Sequence, residues 1–91
     1  MSDSLNVEQY LNQSTGETLR DRVRELLSTR PETITLDFSG TRLVNSIGVS
    51  FLLEIIDLAE RNSASLQFIH VPADICDLFQ LLGIARRVPV S

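Results

Sequence analysis

Few residues of this sequence could support covalent or metal chemistry. The 91 residues contain one cysteine, Cys76, and one histidine, His70, which leaves neither an intrachain disulfide nor a zinc site of Cys and His ligands. Ser46 has no His or Lys close to it in sequence that could act as a general base. We interpret Asp37 as a loop-orienting carboxylate, His70 as a residue at the edge of the core and Cys76 as a small buried hydrophobe. The sequence therefore predicts no catalytic residue, and an enzyme is the least favoured function.

Polar and flexible residues are concentrated between Phe38 and Val49. This segment is predicted to join the carboxyl end of a strand to the amino terminus of a helix. Ligands and partners commonly bind at that edge of an α/β sheet, and a helix N-terminus favours negative charge. The alternative is a purely structural connection, in which Ser39 and Gly40 form a turn and Ser46 caps the helix.

Alternating helical and strand periodicities predict the elements that position this segment. One short strand precedes Asn12, and a helix capped by Ser14 or Thr15 extends to about Ser28. The later elements are a strand at 33–38, a helix at about 47–61, a strand at 65–71, a helix that starts at Pro72 and is closed by Gly83, and an apolar piece at 88–90. Such an alternation is typical of an α/β fold with parallel neighbouring strands.

The apolar pattern also predicts which side chains are buried. Leu43 and Val44, ahead of the second helix, are candidates for burial. Four residues of the third helix recur on one face and are expected to form its core stripe: Ile75, Leu78, Phe79 and Leu82.

Composition and charge restrict the kind of partner. The chain is 43% apolar and 22% charged, which is typical of a globular protein, and its length predicts one domain over residues 1–91. Twelve acidic and eight basic residues give a net charge of −4, which disfavours nucleic acid. There is neither a signal-peptide pattern nor an apolar run of membrane-spanning length, so the expected location is the cytoplasm. No cofactor and no metal are expected.

Two short motifs resemble the signature of STAS domains, which include the bacterial anti-sigma factor antagonists and the cytoplasmic modules of sulfate transporters. The motifs are Leu36-Asp37-Phe38-Ser39-Gly40 and Leu43-Val44-Asn45-Ser46-Ile47-Gly48-Val49, and the resemblance extends in weaker form from Leu11 to Val90. It implies a single layer of mostly parallel strands packed with helices.

In the regulatory members of that family, the resemblance implies a switch based on phosphorylation. The partner would be a kinase of the histidine-kinase-like ATPase type, which is also the anti-sigma factor. It would phosphorylate Ser46, and the phosphorylated chain would then be released from the kinase. The residues implied to bind the partner lie in the same segment: Ser39, Gly40, Thr41, Asn45, Ser46, Ile47, Gly48 and Val49.

The sequence departs from the family pattern at three places. Asn45 replaces an Asp, which keeps the capping ability and loses the charge, and Ile47 replaces a small residue. The N-terminal segment is also expected to be too short for the usual pair of strands before the first helix. An unpaired sheet edge there would favour a homodimer or a partner that covers it.

A second family member offers an alternative function. The segment Leu52–Ala59 resembles a helix of the small STAS subunit of the phospholipid ABC transporter that maintains outer-membrane lipid asymmetry, which is similar in length. In that case the same loop would bind the ATPase subunit of the transporter.

Overall fold

The computed structural model describes residues 2–91, so Met1 of the predicted domain lies outside the described residues. The helices and strands follow one another in an α/β order. They are β1 (Ser2–Asn6), β2 (Tyr10–Leu11), α1 (Gln13–Leu27), β3 (Thr33–Asp37), β4 (Leu43–Val44), α2 (Ser46–Arg61), β5 (Ser65–Ile69) and α3 (Ala73–Leu81), followed by one 3-10 turn (Ile84–Arg86).

Three strands form a parallel sheet in the order β1-β3-β5. The register places Leu5 beside Leu36, and Leu36 beside Phe68, so that apolar residues form a row across the sheet. A separate parallel pair, β2 with β4, continues from the carboxyl ends of β1 and β3. The predicted fold class, α/β with a layer of mostly parallel strands packed with helices, is confirmed.

The helices cover one face of this sheet. Side chains alternate between the two faces of a strand, and here the inner set is mostly apolar and buried, while the outer set is mostly polar and half-buried or exposed. Phe38 and Phe68 pack with Phe79 of α3, with ring centroids 5.1 to 5.7 Å apart. On the opposite face, Gln67 donates a hydrogen bond to the Thr35 hydroxyl at 2.8 Å.

The two edges of the sheet differ. Beyond β5, the C-terminal segment adds a parallel bridge between Val90 and Phe68, with backbone hydrogen bonds of 2.9 and 3.0 Å. Arg87 holds this segment against α2, because its guanidinium donates to Asp57 at 2.6 Å and to Glu60 at 2.7 Å. Within residues 2–91, no segment pairs with the outer edge of β1.

The N-terminal segment differs from the prediction of one short strand. It forms two strands, because the chain bends after Asn6 and pairs again at Tyr10 and Leu11. The residue that caps α1 also differs from the two predicted ones, Ser14 and Thr15. Asn12 is the cap and accepts from the backbone of Thr15 at 3.2 Å, and the Thr15 side chain accepts from the backbone of Asn12 at 3.0 Å, which completes a capping box.

Fewer residues of α3 are buried than the sequence predicted. Ile75 and Phe79 are buried, but Leu82 is 47% exposed because the helix ends at Leu81 and the chain turns away. Gly83 adopts the left-handed conformation predicted for it, with φ at 78°. Cys76, predicted to be buried, is only half-buried.

No helix within the described residues is both long and apolar enough to cross a membrane.

Candidate functional site

The predicted site lies where β3 ends and the chain crosses to β4. The structure puts three residues between β1 and β2 but five between β3 and β4, so the second connection bulges at Ser39 and Gly40. Thr41 closes the turn by donating its amide to the Phe38 carbonyl at 2.9 Å. Its side chain is buried, and its hydroxyl is 3.4 Å from the Val7 carbonyl. The loop is therefore anchored at Thr41 and exposed at its tip.

Asp37 fixes the beginning of this loop, as the sequence predicted. Its carboxylate accepts a hydrogen bond from the Ser39 amide at 2.9 Å and lies 3.1 Å from Nδ1 of His70. The Ser39 amide, and then His70, hold the pKa of the Asp37 carboxyl below its ordinary value, although partial desolvation opposes the shift.

The position of His70 corrects the prediction that it lies at the edge of the core. Strand β5 ends at Ile69, and His70 turns outward with a positive φ of 54° and a side chain 64% exposed. Its neighbour across the sheet is Asp37, which is 33 residues away in the sequence. His70 thus belongs to the carboxyl edge of the sheet, beside the loop.

Helix α2 begins with a division of roles between two neighbouring polar residues. The Asn45 side chain caps the helix, accepting from the Gly48 amide at 2.7 Å. Ser46 is the first helical residue and is exposed. Because the amides of the first helical turn have no partner within the helix, this end carries partial positive charge and accommodates an anion.

Gly48 joins this helix to β2. A Cβ atom on Gly48 would lie 2.3 Å from the carbonyl oxygen of Leu11. The Asn45 amide also donates to that same carbonyl, at 3.1 Å. The start of α2 is therefore held directly against the end of β2.

Three exposed apolar side chains lie on the elements next to Ser46. Tyr10 and Leu43 are neighbours in the register of β2 and β4 and are 50% and 59% exposed, and Ile47 is 45% exposed. The prediction that Leu43 is buried is wrong, because β4 directs Val44 inward and Leu43 outward. Tyr10 was not among the predicted site residues, since two-residue strands carry no readable alternation in sequence.

The eight predicted partner-binding residues share one end of the molecule but differ in exposure. Thr41 and Gly48 are buried and Val49 is half-buried, so their roles in the structure are to support the loop and the helix. The exposed members are Ser39, Gly40, Asn45, Ser46 and Ile47. Contact of these residues with a partner, and phosphorylation of Ser46, stay predictions. Within residues 2–91, no group of three potential metal ligands comes together.

Comparisons with known proteins agree with this architecture. The family model described as "Mlab, STAS domain" matches residues 2–90. The sequence matches no curated protein.

Similar solved structures belong to STAS domains of two kinds. The STAS domain of a SulP transporter from Vibrio cholerae has a TM-score of 0.80 at 14% identity, over 98% of this chain and 71% of that one. The anti-sigma factor antagonist SpoIIAA in its unphosphorylated form has a TM-score of 0.70 at 16% identity, over 86% and 72% of the two chains. The phosphorylated form of SpoIIAA, a Bacillus cell fate determinant, has a TM-score of 0.74 at 16% identity, over 97% and 80%. At these identities, the likeness establishes the fold.

Proposed function

This chain belongs to the STAS domain family, and we propose that it is a non-catalytic protein-interaction module of the anti-sigma factor antagonist type, switched by phosphorylation of Ser46. The proposed partner is a serine kinase of the histidine-kinase-like ATPase type that also acts as the anti-sigma factor. The unmodified chain binds this kinase and frees the sigma factor, and the phosphorylated chain is released.

The observation that carries this proposal is the division of roles at the start of α2. Because Asn45 supplies the cap at 2.7 Å from the Gly48 amide, the helix does not need the hydroxyl of Ser46. That hydroxyl sits on an exposed residue at the helix N-terminus. A kinase could modify it without removing a contact on which the fold depends.

The physical effect of a phosphate at this position follows from its charge. Phosphorylation adds roughly −1.5 to −2 charges and three acceptor oxygens. The partial positive charge of the helix N-terminus stabilises them within the domain. The switch therefore acts through repulsion and collision at the partner's surface, and the module stays folded in both states.

The test is incubation with the cognate ATPase-type kinase and ATP, followed by intact mass measurement. We expect one phosphate on the wild-type chain and none on Ser46→Ala. Ser50→Ala is the matched control, since Ser50 is an exposed serine one turn later on the same helix and should leave the modification intact. A chain that binds the kinase without gaining phosphate, or a phosphate that persists in Ser46→Ala, contradicts the switch.

A second candidate is the STAS subunit of a phospholipid ABC transporter, bound constitutively to its ATPase subunit. The observation that favours it is Ile47, whose partly exposed side chain adds apolar surface directly beside Ser46. An apolar contact of this kind suits a permanent interface. A stable complex with the transporter ATPase, formed without modification of Ser46, would support this function in place of the switch.

Two further features of the proposal concern the setting. We propose that the chain is cytoplasmic. We also propose that its partners are proteins, since a net charge of −4 is unfavourable for binding nucleic acid. We also propose that the outer edge of β1 pairs with a second copy of the chain.

A further inference from the structure

We propose that the partner of the Ser46 loop also binds an apolar surface formed by Tyr10, Leu43 and Ile47, so that Tyr10 and Leu43 determine partner affinity. The inference rests on the proposed function and adds residues from β2 and β4 to its binding site. The occupant is an apolar patch on the same ATP-binding partner protein. The polar loop that carries Ser46 forms the rim around this contact.

Exposure distinguishes these three residues from the rest of the chain. Among the described residues there are five large hydrophobic side chains with substantial exposure, and three of them lie on the β2–β4 pair or at the start of α2, near Ser46. The other two, Leu81 and Leu82, lie at the end of α3. Because helices in this fold run back along the sheet, that end is remote from the start of α2. The apolar exposure is thus concentrated on one side of the proposed site.

The backbone holds the three side chains in a fixed arrangement. Tyr10 and Leu43 are directly paired, and their chain neighbours Leu11 and Val44 are buried. If Tyr10 and Leu43 faced inward, Leu11 and Val44 would have to leave the core. Leu43 and Ile47 are four residues apart, which allows at most about 14 Å between them along the chain. The start of α2 is also held against β2 through Leu11, so the three residues lie at the same end of the molecule as Ser46.

Area and charge favour a partner protein as the occupant. A half-exposed tyrosine leaves about 100 Å² open, and the two aliphatic side chains bring the apolar area to about 300 Å². This suits the core of an interface whose rim is polar, whereas a stable dimer of two identical chains needs about 800 Å² on each copy. A two-fold contact here would also place Ser46 of each copy against the other copy, where a kinase could not reach it.

A lipid surface fits less well. The charged residues next to this surface in sequence are one acid, Glu8, and one base, Arg42, both exposed. Binding to anionic headgroups requires a cluster of basic residues, and the chain as a whole carries −4. The chemistry at this end of the molecule is that of an apolar protein contact with little net charge.

The test measures binding of the full chain to the purified ATP-binding protein encoded beside its gene, either the serine kinase or the transporter ATPase. Tyr10→Thr and Leu43→Thr introduce a β-branched residue, which favours a strand, and remove the large apolar side chain. Each should weaken binding at least about tenfold, as expected for residues at the centre of an interface. Tyr10→Phe and Leu43→Met should keep an affinity close to that of the wild type. Leu81→Gln, at a leucine that is even more exposed but lies at the end of α3, should change the affinity by less than about twofold.

The outcomes separate this inference from the function on which it rests. If the wild-type chain binds neither protein, both are overturned. If it binds and the two Thr variants bind equally well, the surface inference is overturned and the proposed function stands. Wild-type self-association that is lost in Leu43→Thr, with partner binding unchanged, would assign the surface to a second copy and overturn the inference as well. Thermal melts of each variant show that any loss of binding is not a loss of fold.

Discussion

At the scale of single residues, Asp37 links three parts of the candidate site. It ends β3, accepts the amide that starts the loop at Ser39 and faces His70 at the end of β5. A carboxylate suits this position because it accepts several hydrogen bonds at once when ionised. The ionised carboxylate of Asp37 therefore helps to hold the start of the loop, while Thr41 anchors its other end.

The Asp37 carboxyl makes the stability of the protein depend on pH in a defined direction. The pKa of Asp37 is lower in the folded chain than its ordinary value, so the folded state binds its proton less tightly than the unfolded state does. Its contribution to the free energy of unfolding is complete above the unfolded pKa, near 3.9, and is lost as pH falls through the lower folded pKa. We expect Asp37→Asn to be less stable than wild type at neutral pH, with a difference that shrinks below about pH 4.

Urea denaturation at a series of pH values checks this prediction. Asp77→Asn, at an exposed aspartate of α3, is the control for loss of a carboxylate without loss of the loop contact. A stability difference for Asp37→Asn that stays constant down to about pH 2 would contradict the assigned role.

The sequence predicted some of these residues and missed others for identifiable reasons. Asn45 and Ser46 were predictable because capping depends on residue type and on the start of an apolar helix, which are both local signals. The contact between Asp37 and His70 was not, because it joins residues brought together only by strand register. The exposure of Leu43 reversed the expectation from its hydrophobicity, since β4 is too short to show which of its residues faces inward.

At the scale of elements, the long helices and strands were readable and the two-residue strands were not. Helix α2 has 16 residues and a sustained apolar pattern, and its predicted start differed by one residue from the observed one. Strands β2 and β4 have two residues each, which is a single period of alternation and too little to establish a pattern in sequence. The pairing of β2 with β4 nevertheless positions Tyr10 and Leu43. The exposed residues that the sequence did not predict therefore lie on these two short strands.

The contact between α2 and β2 depends on Gly48. Replacing a helical glycine by alanine ordinarily stabilises a helix by about 1 kcal/mol. Here the added Cβ would lie 2.3 Å from the Leu11 carbonyl oxygen and 2.8 Å from its carbon, and backbone atoms cannot move aside as a side chain can. We therefore expect Gly48→Ala to destabilise the protein by about 1–3 kcal/mol, as overpacking commonly does.

Gly40→Ala is the matched control for this prediction. A Cβ atom on Gly40 would have no other atom within 4 Å, so its replacement should change the free energy of unfolding by less than about 0.5 kcal/mol. Equal stability of Gly48→Ala and wild type in urea denaturation would show that α2 and β2 separate easily, against the close contact described above.

At the scale of the whole molecule, the sheet is asymmetric in both its faces and its edges. The helices cover one face, and the C-terminal segment covers the edge of β5, while the outer edge of β1 has no partner within residues 2–91. The sequence analysis expected an open N-terminal edge, but its reason, a segment too short for two strands, was wrong, because β1 and β2 both precede α1. It also predicted an apolar piece at 88–90 as the last element of the alternation, and that piece covers the edge of β5. It did not predict the contacts of Arg87 with Asp57 and Glu60, which join residues far apart in sequence.

We predict that the open edge of β1 makes the chain dimerise in a concentration-dependent way. Val7 donates its amide to Asp37 of β3, and successive amides along a strand face opposite sides. The amides of Ser4 and Asn6 therefore point outward, where no strand of residues 2–91 pairs with them. Ser4→Pro removes one of these donors at an edge position that tolerates proline, and should yield a folded monomer. Ser4→Thr keeps the donor and should still dimerise.

Light scattering across a concentration series gives the mass, and hydrogen exchange at Ser4 and Asn6 reports whether the edge is paired. A wild-type chain that stays monomeric at high concentration, with both amides exchanging freely, would contradict pairing through β1.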